Sequence, residues 1–529
     1  MANQLNEVIR DLVSRMTGGN NDVAAICAKA VAVVSGDNVG PIPDGENIED
    51  AASGSVCIRV SPEEASALKD EPRIVATVGK DALPSDVETP FVLCGDLLYT
   101  RRNWFYERNV SQRVAEIAAV NPGTAGIPEQ GGMRPEQFEA VKAMCRSNFS
   151  ILTGGPGTGK TYTIAQAVKF LRESNPDLRL GLAAPTGKAA ARMTESMRNA
   201  MDNVPEASTI HTLLGTNPDF VTFRHNRTNP LALDWLIIDE ASMIDLPLMS
   251  KLLDALPSEC RLTLVGDVNQ LASVERGRVF GDLCAIAARS EGASLSALHQ
   301  SMRFPPDGPI ARLSDAVNGG DPDAAMSVIA TAGELVEFHD LLAEDGRAPK
   351  EFTASVKAGF ASLAGSRTPE DALRFLNDFR VLTALRHGHF GCESLNERIR
   401  REMGTDCPTP VMVTANNTIL RVHNGDVGVV MPDDPKTLHL PCDGGSRAVS
   451  LALLPDTELA FASTIHKSQG SEFSDVAIVL PPSGESPLMT REILYTGITR
   501  TKKRVAIFAG EPAIRRCCEK KTERLSGLA

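Results

Sequence analysis

Short apolar runs alternate with segments of helical spacing along the part of the chain that follows residue 130. The apolar runs lie at residues 149–153, 178–184, 233–238, 261–265, 380–384, 475–480 and 504–508. Runs of this length, bounded by turn residues, are typical of buried strands. Strands that alternate with helices build parallel sheets, so the pattern predicts an α/β fold with more than one unit.

Two segments interrupt this alternation. Residues 217–230 are polar and predict a small hairpin. Residues 408–455 are rich in Val, Thr and Leu, with turn signals at Asn424-Gly425 and at residues 443–445. Short strands separated by such turns favour a small β-barrel, inserted in the second α/β unit.

A linker composition marks the clearest domain boundary. Residues 121–133 read NPGTAGIPEQGGM, with four glycines and two prolines. Such a composition is typical of a flexible connection. Helical patterns at residues 5–16 and 109–119 precede it, together with strand-like runs at residues 55–60 and 91–98. They predict an amino-terminal, mainly helical domain that folds around its own core.

Charge separates this amino-terminal domain from the rest of the chain. The 529 residues carry a formal net charge of -13, and residues 1–130 contribute 19 acidic and 11 basic side chains. An acidic surface repels a phosphate backbone, so the domain is expected to bind another protein and not DNA. The alternative is an appendage that only improves solubility.

Several classes of protein are disfavoured by composition. No apolar stretch is long enough to span a bilayer, and the first residues lack a basic segment followed by an apolar one. The eleven cysteines are scattered, and no CxxC or HExxH spacing occurs, which disfavours a zinc site and a disulfide framework. We therefore expect a soluble protein of a reducing compartment.

A glycine-rich segment carries the first chemical signal. GGPGTGKT at residues 154–161 follows an apolar run and precedes a helical pattern, as a phosphate-binding loop requires. Its glycines let backbone N–H groups converge on phosphate oxygens. Lys160 would reach the β- and γ-phosphates and Thr161 would hold magnesium. The alternative is an ordinary strand–helix turn.

Two further strand ends supply groups for hydrolysis. LIIDEAS at residues 236–242 places Asp239 and Glu240 at the carboxyl end of a strand, where ligands bind in α/β sheets. Asp239 would bind magnesium through water, and Glu240 would orient and deprotonate the attacking water. In LVGDVNQLASV, residues 264–274, Gln270 could touch the γ-phosphate and that water. Taken alone, the carboxylates could cap a helix and Gln270 could lie in a surface turn.

The order of these motifs resembles that of superfamily 1 helicases. The full series is Gln137, the phosphate-binding loop, APTGKAAARM (184–193), TIHTLLG (209–215), DEAS (239–242), GDVNQL (266–271), residues 300–303, STIHKSQGSEF (463–473) and YTGITRTK (495–502). The resemblance covers nearly everything after residue 130. It implies two RecA-like lobes that close on ATP and move along one strand of nucleic acid.

The resemblance also assigns roles to single residues. Arg303 and Arg500 match arginines that stabilise charge on the γ-phosphate, although an isolated arginine is more often a salt bridge. Gln137 matches an adenine-reading glutamine, and Glu472 matches a position that meets the ribose. Met302 departs from the family pattern, because an aromatic residue usually precedes the arginine. Tyr162, Asn269, Arg276 and Arg278 are also unusual, but none of these departures removes a group needed for hydrolysis.

Small polar or basic residues in the remaining motifs match positions that contact a nucleic-acid backbone without reading its sequence. They are Thr186, Lys188, His211, Thr464, His466 and Lys467. The alternative for the two histidines is a core position satisfied by a local carbonyl. In this family a hairpin such as the one at residues 217–230 can act as a strand-separating pin.

Four stretches outside the shared motifs resemble the RecD family, the alpha subunits of RecBCD-type enzymes (exodeoxyribonuclease V). They lie at residues 97–118, 229–249, 380–399 and 424–430. This resemblance implies 5′-to-3′ translocation on the 5′-ended strand, within a bacterial cytoplasmic helicase–nuclease that processes double-strand breaks. It also implies beta and gamma subunits as partners, with the gamma subunit on the amino-terminal domain. No nuclease centre is evident in this chain, and that chemistry would belong to the beta subunit.

The expected layout combines these signals. It comprises an amino-terminal docking domain (1–120), a linker (121–133), a first RecA-like lobe (134–305, with the hairpin near 217–230), a second lobe (306–405 and 458–529) and an inserted β-barrel (406–457). Two alternatives stay open. One is a stand-alone superfamily 1 DNA or RNA helicase, and the other is a non-catalytic assembly subunit with a vestigial motor.

Overall fold

A computed structural model gives the fold of the chain. It describes residues 10–528 with gaps at residues 18–19, 36–53, 83–84, 86, 124–125, 127, 217–221, 274–276, 342–349, 418, 443–444, 455 and 485. Parts of the helical pattern at 5–16, of the hairpin at 217–230 and of the turn at 443–445 therefore lie outside the described residues, as does Arg276.

Helices and a sheet share the amino-terminal region. The elements are α1 (Asn21–Ser35), β1 (Cys57–Arg59), α2 (Pro62–Lys69), β2 (Val75–Val78), β3 (Phe91–Cys94), β4 (Leu97–Thr100) and α3 (Arg101–Ala118). The strands form a sheet in the order β1-β4-β3-β2. The strand-like runs read from the sequence correspond to β1, β3 and β4, so the expectation of a mainly helical domain left out the sheet that they form.

A six-stranded parallel sheet forms the first α/β lobe. The strands are β5 (Phe149–Gly154), β6 (Leu180–Ala184), β7 (Ser208–Thr209), β8 (Trp235–Ile238), β9 (Arg261–Gly266) and β10 (Ala293–Leu298). The helices are α4 (Pro135–Arg146), α5 (Lys160–Ser174), α6 (Gly187–Ala200), α7 (Ile210–Leu214), α8 (Leu246–Asp254) and α9 (Val279–Ala287). The strand order is β10-β5-β9-β8-β6-β7, and each neighbouring pair is parallel. The loops after β5, β8 and β9 therefore leave one edge of the sheet together.

The remaining strands form two sheets. They are β11 (Val336–Asp340), β12 (Phe379–Thr383), β13 (Thr409–Val413), β14 (Val427–Met431), β15 (Asp434–Cys442), β16 (Gly445–Ser450), β17 (Thr457–Leu459), β18 (Ala462–Thr464), β19 (Phe473–Val479) and β20 (Thr501–Ala509). The order β11-β20-β19-β12-β18 gives a second parallel sheet. The α/β class predicted from the sequence is confirmed by these two parallel sheets.

Strands β13 to β17 lie between β12 and β18 in the chain and pair with one another. They form an antiparallel sheet in the order β16-β15-β14-β13-β17. The pairings of the described residues join neither outer strand to the other, and closure of this sheet into a barrel stays a prediction. The helices of the region are α10 (Pro309–Gly319), α11 (Pro322–Thr331), α12 (Lys350–Gly359), α13 (Ala361–Ala364), α14 (Pro369–Phe375), α15 (Cys392–Met403), α16 (Arg491–Ile498) and α17 (Glu511–Glu519).

The amino-terminal region packs directly on the first lobe. Trp104 and Ile117 of α3 are buried in one apolar cluster with residues of the first lobe. Asn109 Nδ2 donates to Ser250 Oγ of α8 at 2.8 Å, and the Arg113 guanidinium donates to the carbonyls of Leu253 and Leu256. Helix α3 is therefore part of the core of the first lobe as well as of its own domain.

The segment that follows α17 returns to the amino-terminal region. The amide of Val56 donates to the carbonyl of Leu525 at 3.1 Å, and Ser526 Oγ donates to a carboxylate oxygen of Glu107 at 2.7 Å. Thr522 Oγ1 donates to Glu492 of α16 at 2.8 Å, so this segment contacts both the second lobe and the first domain. None of the helices in the described ranges is long and apolar enough to cross a membrane.

Candidate ATP site and nucleic-acid groove

The loop between β5 and α5 has the conformation of a phosphate cradle. Gly157 and Gly159 have φ values of +77° and +87°, in the left-handed region that favours glycine. Lys160 Nζ donates to the carbonyls of Gly154 and Gly155 at 2.7 and 3.0 Å. The lysine ammonium thus lies within the loop, beside the helix N-terminus where phosphates bind.

Asp239 and Glu240 follow β8, two strands away from the phosphate-binding loop in the sheet. Asp239 is half-buried, and desolvation together with the charge of Glu240 raises the pKa of its carboxyl, while Lys160 lowers it. Glu240 has φ +52°, a strained value for a residue other than glycine, and its amide donates to Asp239 Oδ1 at 2.9 Å. A carboxylate in this environment is suited to a nearby cation.

The loop after β9 places Gln270 beside a further acid. Gln270 Nε2 donates to Asp267 Oδ2 at 3.2 Å, and Tyr495 of α16 donates its hydroxyl to the same oxygen at 3.0 Å. Burial raises the pKa of Asp267, while the charge of Lys160 lowers it. Gln270 Oε1 is buried and has no hydrogen-bond partner within the described part of the chain. That oxygen is available for a ligand at the sheet edge.

Arg303 lies over the phosphate-binding loop. The amide of Met302 donates to the Gly157 carbonyl at 2.7 Å, and a Cβ added to Gly157 would lie 2.6 Å from Arg303 Cβ. The Arg303 guanidinium forms an ion pair with Glu472 and donates to the Thr499 carbonyl at 3.2 Å. Met302, which stands where the family usually has an aromatic residue, is 76% exposed. The segment before Arg303 therefore contacts the phosphate-binding loop through its backbone and not through a buried Met302 side chain.

Arg500 lies in the interior between the lobes. It is 2% exposed, and its guanidinium donates to the carbonyls of Thr496 and Ser471 at 3.3 Å. Burial lowers the pKa of Arg500, whereas the negative charges of Glu240 and Glu472 raise it. The guanidinium therefore lies in the field of the catalytic carboxylate predicted from the sequence.

Glu472 lies among three basic side chains. It forms ion pairs with Arg192 and Arg303, and Lys502 Nζ lies 3.6 Å from its carboxylate. Burial opposes ionisation of this carboxyl, but the hydrogen bond and charge of Arg192 and the charge of Arg303 outweigh it and lower the pKa to about 2. The contact with a ribose stays a prediction, since the carboxylate is occupied by cations here.

Gln137 lies at the start of α4 and beside the phosphate-binding loop. Its Oε1 accepts the amide of Arg134 at 3.1 Å, and its Nε2 donates to the Thr158 carbonyl at 3.5 Å. A Cβ added to Gly159 would lie 2.6 Å from Gln137 Nε2. The amide is therefore held against the loop by the cap of its own helix, and its contact with adenine stays a prediction.

Three of the six residues predicted to contact nucleic acid lie on the first lobe. Thr186 caps α6, because its hydroxyl accepts the amide of Ala189 at 3.2 Å. Lys188 lines a groove of about 760 Å³ together with residues of the inserted sheet, among them His423 and Arg447. His211 is exposed and packs edge-on against Phe223. The groove thus brings Lys188 close to basic residues that sequence reasoning did not select.

The other three lie on the second lobe, next to β18. Thr464 is 9% exposed, and its hydroxyl accepts the amide of Lys467 at 3.3 Å. Burial and the charge of Arg524 lower the pKa of His466. Lys467 Nζ lies 2.6 Å from Glu458, so an internal carboxylate already occupies this ammonium group. Of the six side chains, Lys188 is the cation most openly presented to a groove.

Replacing Lys188 with Ala is expected to weaken binding of single-stranded DNA and to reduce the salt dependence of affinity by about one unit of slope. Desolvation within the groove and the positive charges of Arg380 and Arg192 lower the pKa of Lys188 to about 8. The wild-type contact should therefore weaken as the pH rises through 8, because the ammonium loses its proton there. Fluorescence anisotropy over a salt and pH series measures both effects. Lys169→Ala, on the exposed face of α5, is the control, and an unchanged slope in Lys188→Ala would contradict the assignment.

Comparison with known proteins places this geometry in a family. Residues 137–276 match the family model described as AAA domain, and residues 459–508 match the UvrD-like helicase C-terminal domain. RecBCD enzyme subunit RecD of Mycolicibacterium smegmatis is 37% identical over 467 residues, which cover 82% of each chain. The subunit of the same name from Mycobacterium tuberculosis (strain CDC 1551 / Oshkosh) is 34% identical, over 90% of this chain and 88% of its own.

The chain belongs to the RecD family. It is also 32% identical to the ATP-dependent RecD2 DNA helicase of Deinococcus radiodurans, over 75% of this chain and 53% of that protein. As a member of the RecD family, the protein is an ATP-dependent DNA helicase. The resemblance read from the motifs is confirmed, and it includes the stretches that pointed to RecD within the superfamily.

Sequence reasoning on this RecD-family chain missed several residues of the site. They are Asp267, Tyr495, Arg192, Arg134 and Ser301. Ser301 Oγ donates to the Pro156 carbonyl at 3.0 Å, and the Arg134 guanidinium donates to the Thr158 carbonyl at 2.5 Å. Asp267, Tyr495 and Arg192 stand inside motifs quoted for the family resemblance. Only their contacts across the lobes distinguish them from neighbouring polar residues.

Proposed function

We propose that this chain hydrolyses ATP between its two parallel-sheet lobes and converts lobe closure into 5′-to-3′ movement along single-stranded DNA. The observation that carries the proposal is the junction of the lobes at the phosphate-binding loop. Tyr495 of the second lobe contacts Asp267 of the first, Arg303 forms an ion pair with Glu472, and Arg500 lies within the electrostatic reach of Glu240 and Glu472. Unwinding of tailed duplexes by the full chain tests the proposal.

The first lobe provides the phosphate-binding and catalytic groups. The loop from Gly154 to Thr161, comprising Gly154, Gly155, Pro156, Gly157, Thr158, Gly159, Lys160 and Thr161, holds the triphosphate. Lys160 moves from the carbonyls of Gly154 and Gly155 to the β- and γ-phosphates. Glu240 orients the attacking water and accepts its proton, and the free Oε1 of Gln270 hydrogen-bonds to that water.

A magnesium ion fits the donor set at this edge of the sheet. Thr161 offers a hydroxyl and Asp239 a half-buried carboxylate whose pKa is raised by desolvation and by the charge of Glu240. Bound there, magnesium would offset negative charge on the β- and γ-phosphates. The chain's own contribution is to place both oxygen donors near Lys160, at the start of α5 and directly after β8.

Arginines complete the charge around the γ-phosphate. Arg303 and Arg500 stabilise negative charge that develops on the transferred group, and both guanidiniums already lie within the lobe interface. Gln137 reads the adenine from the start of α4. Glu472 meets the ribose once Arg303 turns toward the phosphates.

The strand of DNA lies across both lobes in this proposal. Its backbone contacts are Thr186, Lys188, His211, Thr464, His466 and Lys467. Arg447 of β16 and His423 of the β13–β14 loop also line the groove beside Lys188, and we propose that the predicted β-barrel (406–457) forms its outer wall. Polar and basic contacts of this kind hold a phosphate backbone without reading its bases. The hairpin at residues 217–230 is the proposed pin.

The layout read from the sequence is also proposed for the protein. Residues 1–120 form the docking domain and 121–133 the linker, while 134–305, and 306–405 with 458–529, form the motor lobes. The motor works as the alpha subunit of a RecBCD-type heterotrimer that processes double-strand breaks for recombination. Beta and gamma subunits are its partners, the nuclease centre belongs to the beta subunit, and the complex acts in the bacterial cytoplasm on the nucleoid.

A groove on the amino-terminal domain is a suitable docking surface for the gamma subunit. Its volume is about 510 Å³, and its lining includes Pro90, Arg101, Arg102, Phe105 and Tyr106. Phe105 is 41% exposed, and the Arg102 guanidinium lies 5.8 Å from the centre of the Tyr106 ring. Exposed aromatic and arginine side chains are enriched where proteins bind each other.

The double variant Arg102→Glu, Phe105→Glu in the full chain is expected to lower co-purification with the beta and gamma subunits at least tenfold, the scale of losing an interface hot spot. ATP hydrolysis stimulated by DNA should stay within about twofold of wild type, because the groove lies outside the motor. Pull-down with quantitative gel densitometry measures the first and phosphate release the second. Arg59→Glu on the same domain is the control. Stoichiometric recovery of the double variant would show that docking lies elsewhere.

A stand-alone helicase is the second candidate, favoured by the likeness to RecD2. The chain spans about half of that relative but more than four fifths of the M. smegmatis RecD subunit. The larger share of the subunit that is matched favours the heterotrimer. A vestigial motor is disfavoured because Lys160, Asp239, Glu240, Gln270 and Arg500 are all present, and the first four follow strands whose ends leave the same edge of the first sheet.

A further inference from the structure

Arg192 lies between the groove proposed to bind DNA and the proposed ATP site. It lies on α6, the helix capped by Thr186, and Lys188 is in the first turn of that helix. Its guanidinium forms an ion pair with Glu472, on the second lobe. One rigid helix therefore joins the start of the nucleic-acid groove to the lobe interface.

The contact with Glu472 crosses between lobes at a close approach. A Cβ added to Gly470 would lie 3.7 Å from Ala189 Cβ, so the loop before β19 packs on α6 itself. The Glu472 side chain is 12% exposed and that of Arg303 13%, whereas that of Arg192 is 41% exposed. Arg192 thus reaches a nearly buried carboxylate from the solvent side.

Arg192 and Arg303 share the Glu472 carboxylate, and this sharing sets how strongly Arg303 is held there. Glu472 binds the Arg192 and Arg303 guanidiniums together, and the third cation, Lys502, is at 3.6 Å. Arg303 must turn toward the γ-phosphate during hydrolysis, so its attraction to Glu472 opposes that movement. Without Arg192, a larger share of the charge of Glu472 would act on Arg303. Opposing charges in so buried a place interact strongly.

We propose that Arg192 is a positioning residue for ATP hydrolysis. It shares Glu472 with Arg303, frees Arg303 to reach the γ-phosphate, and makes this release depend on how DNA holds the start of α6. The inference rests on the proposed ATP site and adds to it a physical link between DNA binding and turnover. Arg192 acts through Glu472 and does not itself bind the nucleotide.

A double-mutant cycle in the full chain tests this link. Phosphate release is measured for wild type, Arg192→Gln, Glu472→Gln and the double variant, each with and without a single-stranded oligonucleotide. Arg192→Gln is expected to lower the DNA-stimulated kcat about tenfold with KM for ATP changed less than about twofold. In the Glu472→Gln background the same substitution should have no further effect, since the shared carboxylate charge is already absent.

Two further variants serve as controls for the charge of Arg192 and for its position on α6. Arg192→Lys keeps the charge and is expected to retain at least about half of the wild-type kcat, which shows that the ion pair is responsible. Arg198→Gln, on the exposed face of α6, should behave as wild type. Additive losses in the double variant, a KM effect without a kcat effect, or wild-type turnover by Arg192→Gln would each overturn the inference. Absence of turnover in the wild type would instead overturn the proposed ATP site.

Discussion

Replacing Lys160 with Ala is expected to lower ATP turnover on the order of 10³-fold or more, because a cation at the β- and γ-phosphates stabilises the transferred group. The fold should survive, since Lys160 is half-buried and its lost hydrogen bonds are to two carbonyls of its own loop. Steady-state phosphate release measures turnover, and thermal unfolding followed by circular dichroism checks the fold.

Lys169→Ala provides a matched control for this variant. Lys169 lies on the same helix, α5, and is exposed. Its replacement should leave turnover unchanged. Normal turnover in Lys160→Ala would exclude the loop between β5 and α5 as the phosphate site, and equal loss in both variants would point to a general effect on α5.

The substitution Glu240→Gln is expected to trap bound ATP and to lower turnover about 10²- to 10⁴-fold, because the amide cannot accept a proton from water. Glutamine has nearly the same size as glutamate, so the backbone strain at φ +52° should be about the same in the variant as in the wild type. Nucleotide affinity should stay near that of wild type. Rapid-filtration measurement of nucleotide-bound lifetimes, with single-turnover hydrolysis, separates binding from chemistry.

Glu259→Gln, an exposed residue before β9, is the control for loss of one negative charge on the first lobe. It should leave both lifetime and turnover unchanged. If Glu240→Gln hydrolysed ATP with the wild-type bound lifetime, another group would have to activate the water. Asp267 is the nearest alternative acid in the loop after β9, but Tyr495 and Gln270 already occupy its Oδ2.

The central strands of both lobes were predictable from sequence, and the edge strands were not. Runs at 149–153, 233–238 and 475–480 match β5, β8 and β19, which are covered by neighbours and read as continuous apolar segments. β10 has the sequence ASLSAL and lies at one sheet edge, where partial exposure permits serines. β7, β11 and β18 are the other missed strands, and each also lies at an edge.

The site was predictable as motifs but not as a set of contacts. Lys160, Asp239 and Gln270 follow strands whose ends meet at one edge, so local pattern and sheet topology bring them together. Pairing of Glu472 with Arg192, and of Asp267 with Tyr495, joins residues more than two hundred positions apart. No local period encodes such contacts, because they depend on how the two lobes are placed.

The amino-terminal domain illustrates a further limit. Its acidic composition and the linker at 121–133 indicate a separate module, for which removal of residues 1–130 is the simplest test of docking. Trp104 and Ile117 are nevertheless buried in the core of the first lobe, and Asn109 bonds to Ser250. Truncation would therefore expose an apolar surface of the motor, which is why substitutions in the full chain are the better test.

Strand displacement on duplexes with a single-stranded tail at either the 5′ or the 3′ end tests whether this protein is an ATP-driven motor that moves 5′ to 3′ on DNA. The full chain, alone and with its beta and gamma partners, is incubated with each substrate, with ATP or without nucleotide, and Lys160→Ala serves as the inactive motor. The wild type is expected to unwind the 5′-tailed duplex only with ATP, and Lys160→Ala is expected not to unwind it. Unwinding of only the 3′-tailed duplex, or unwinding that does not require ATP, would contradict this expectation.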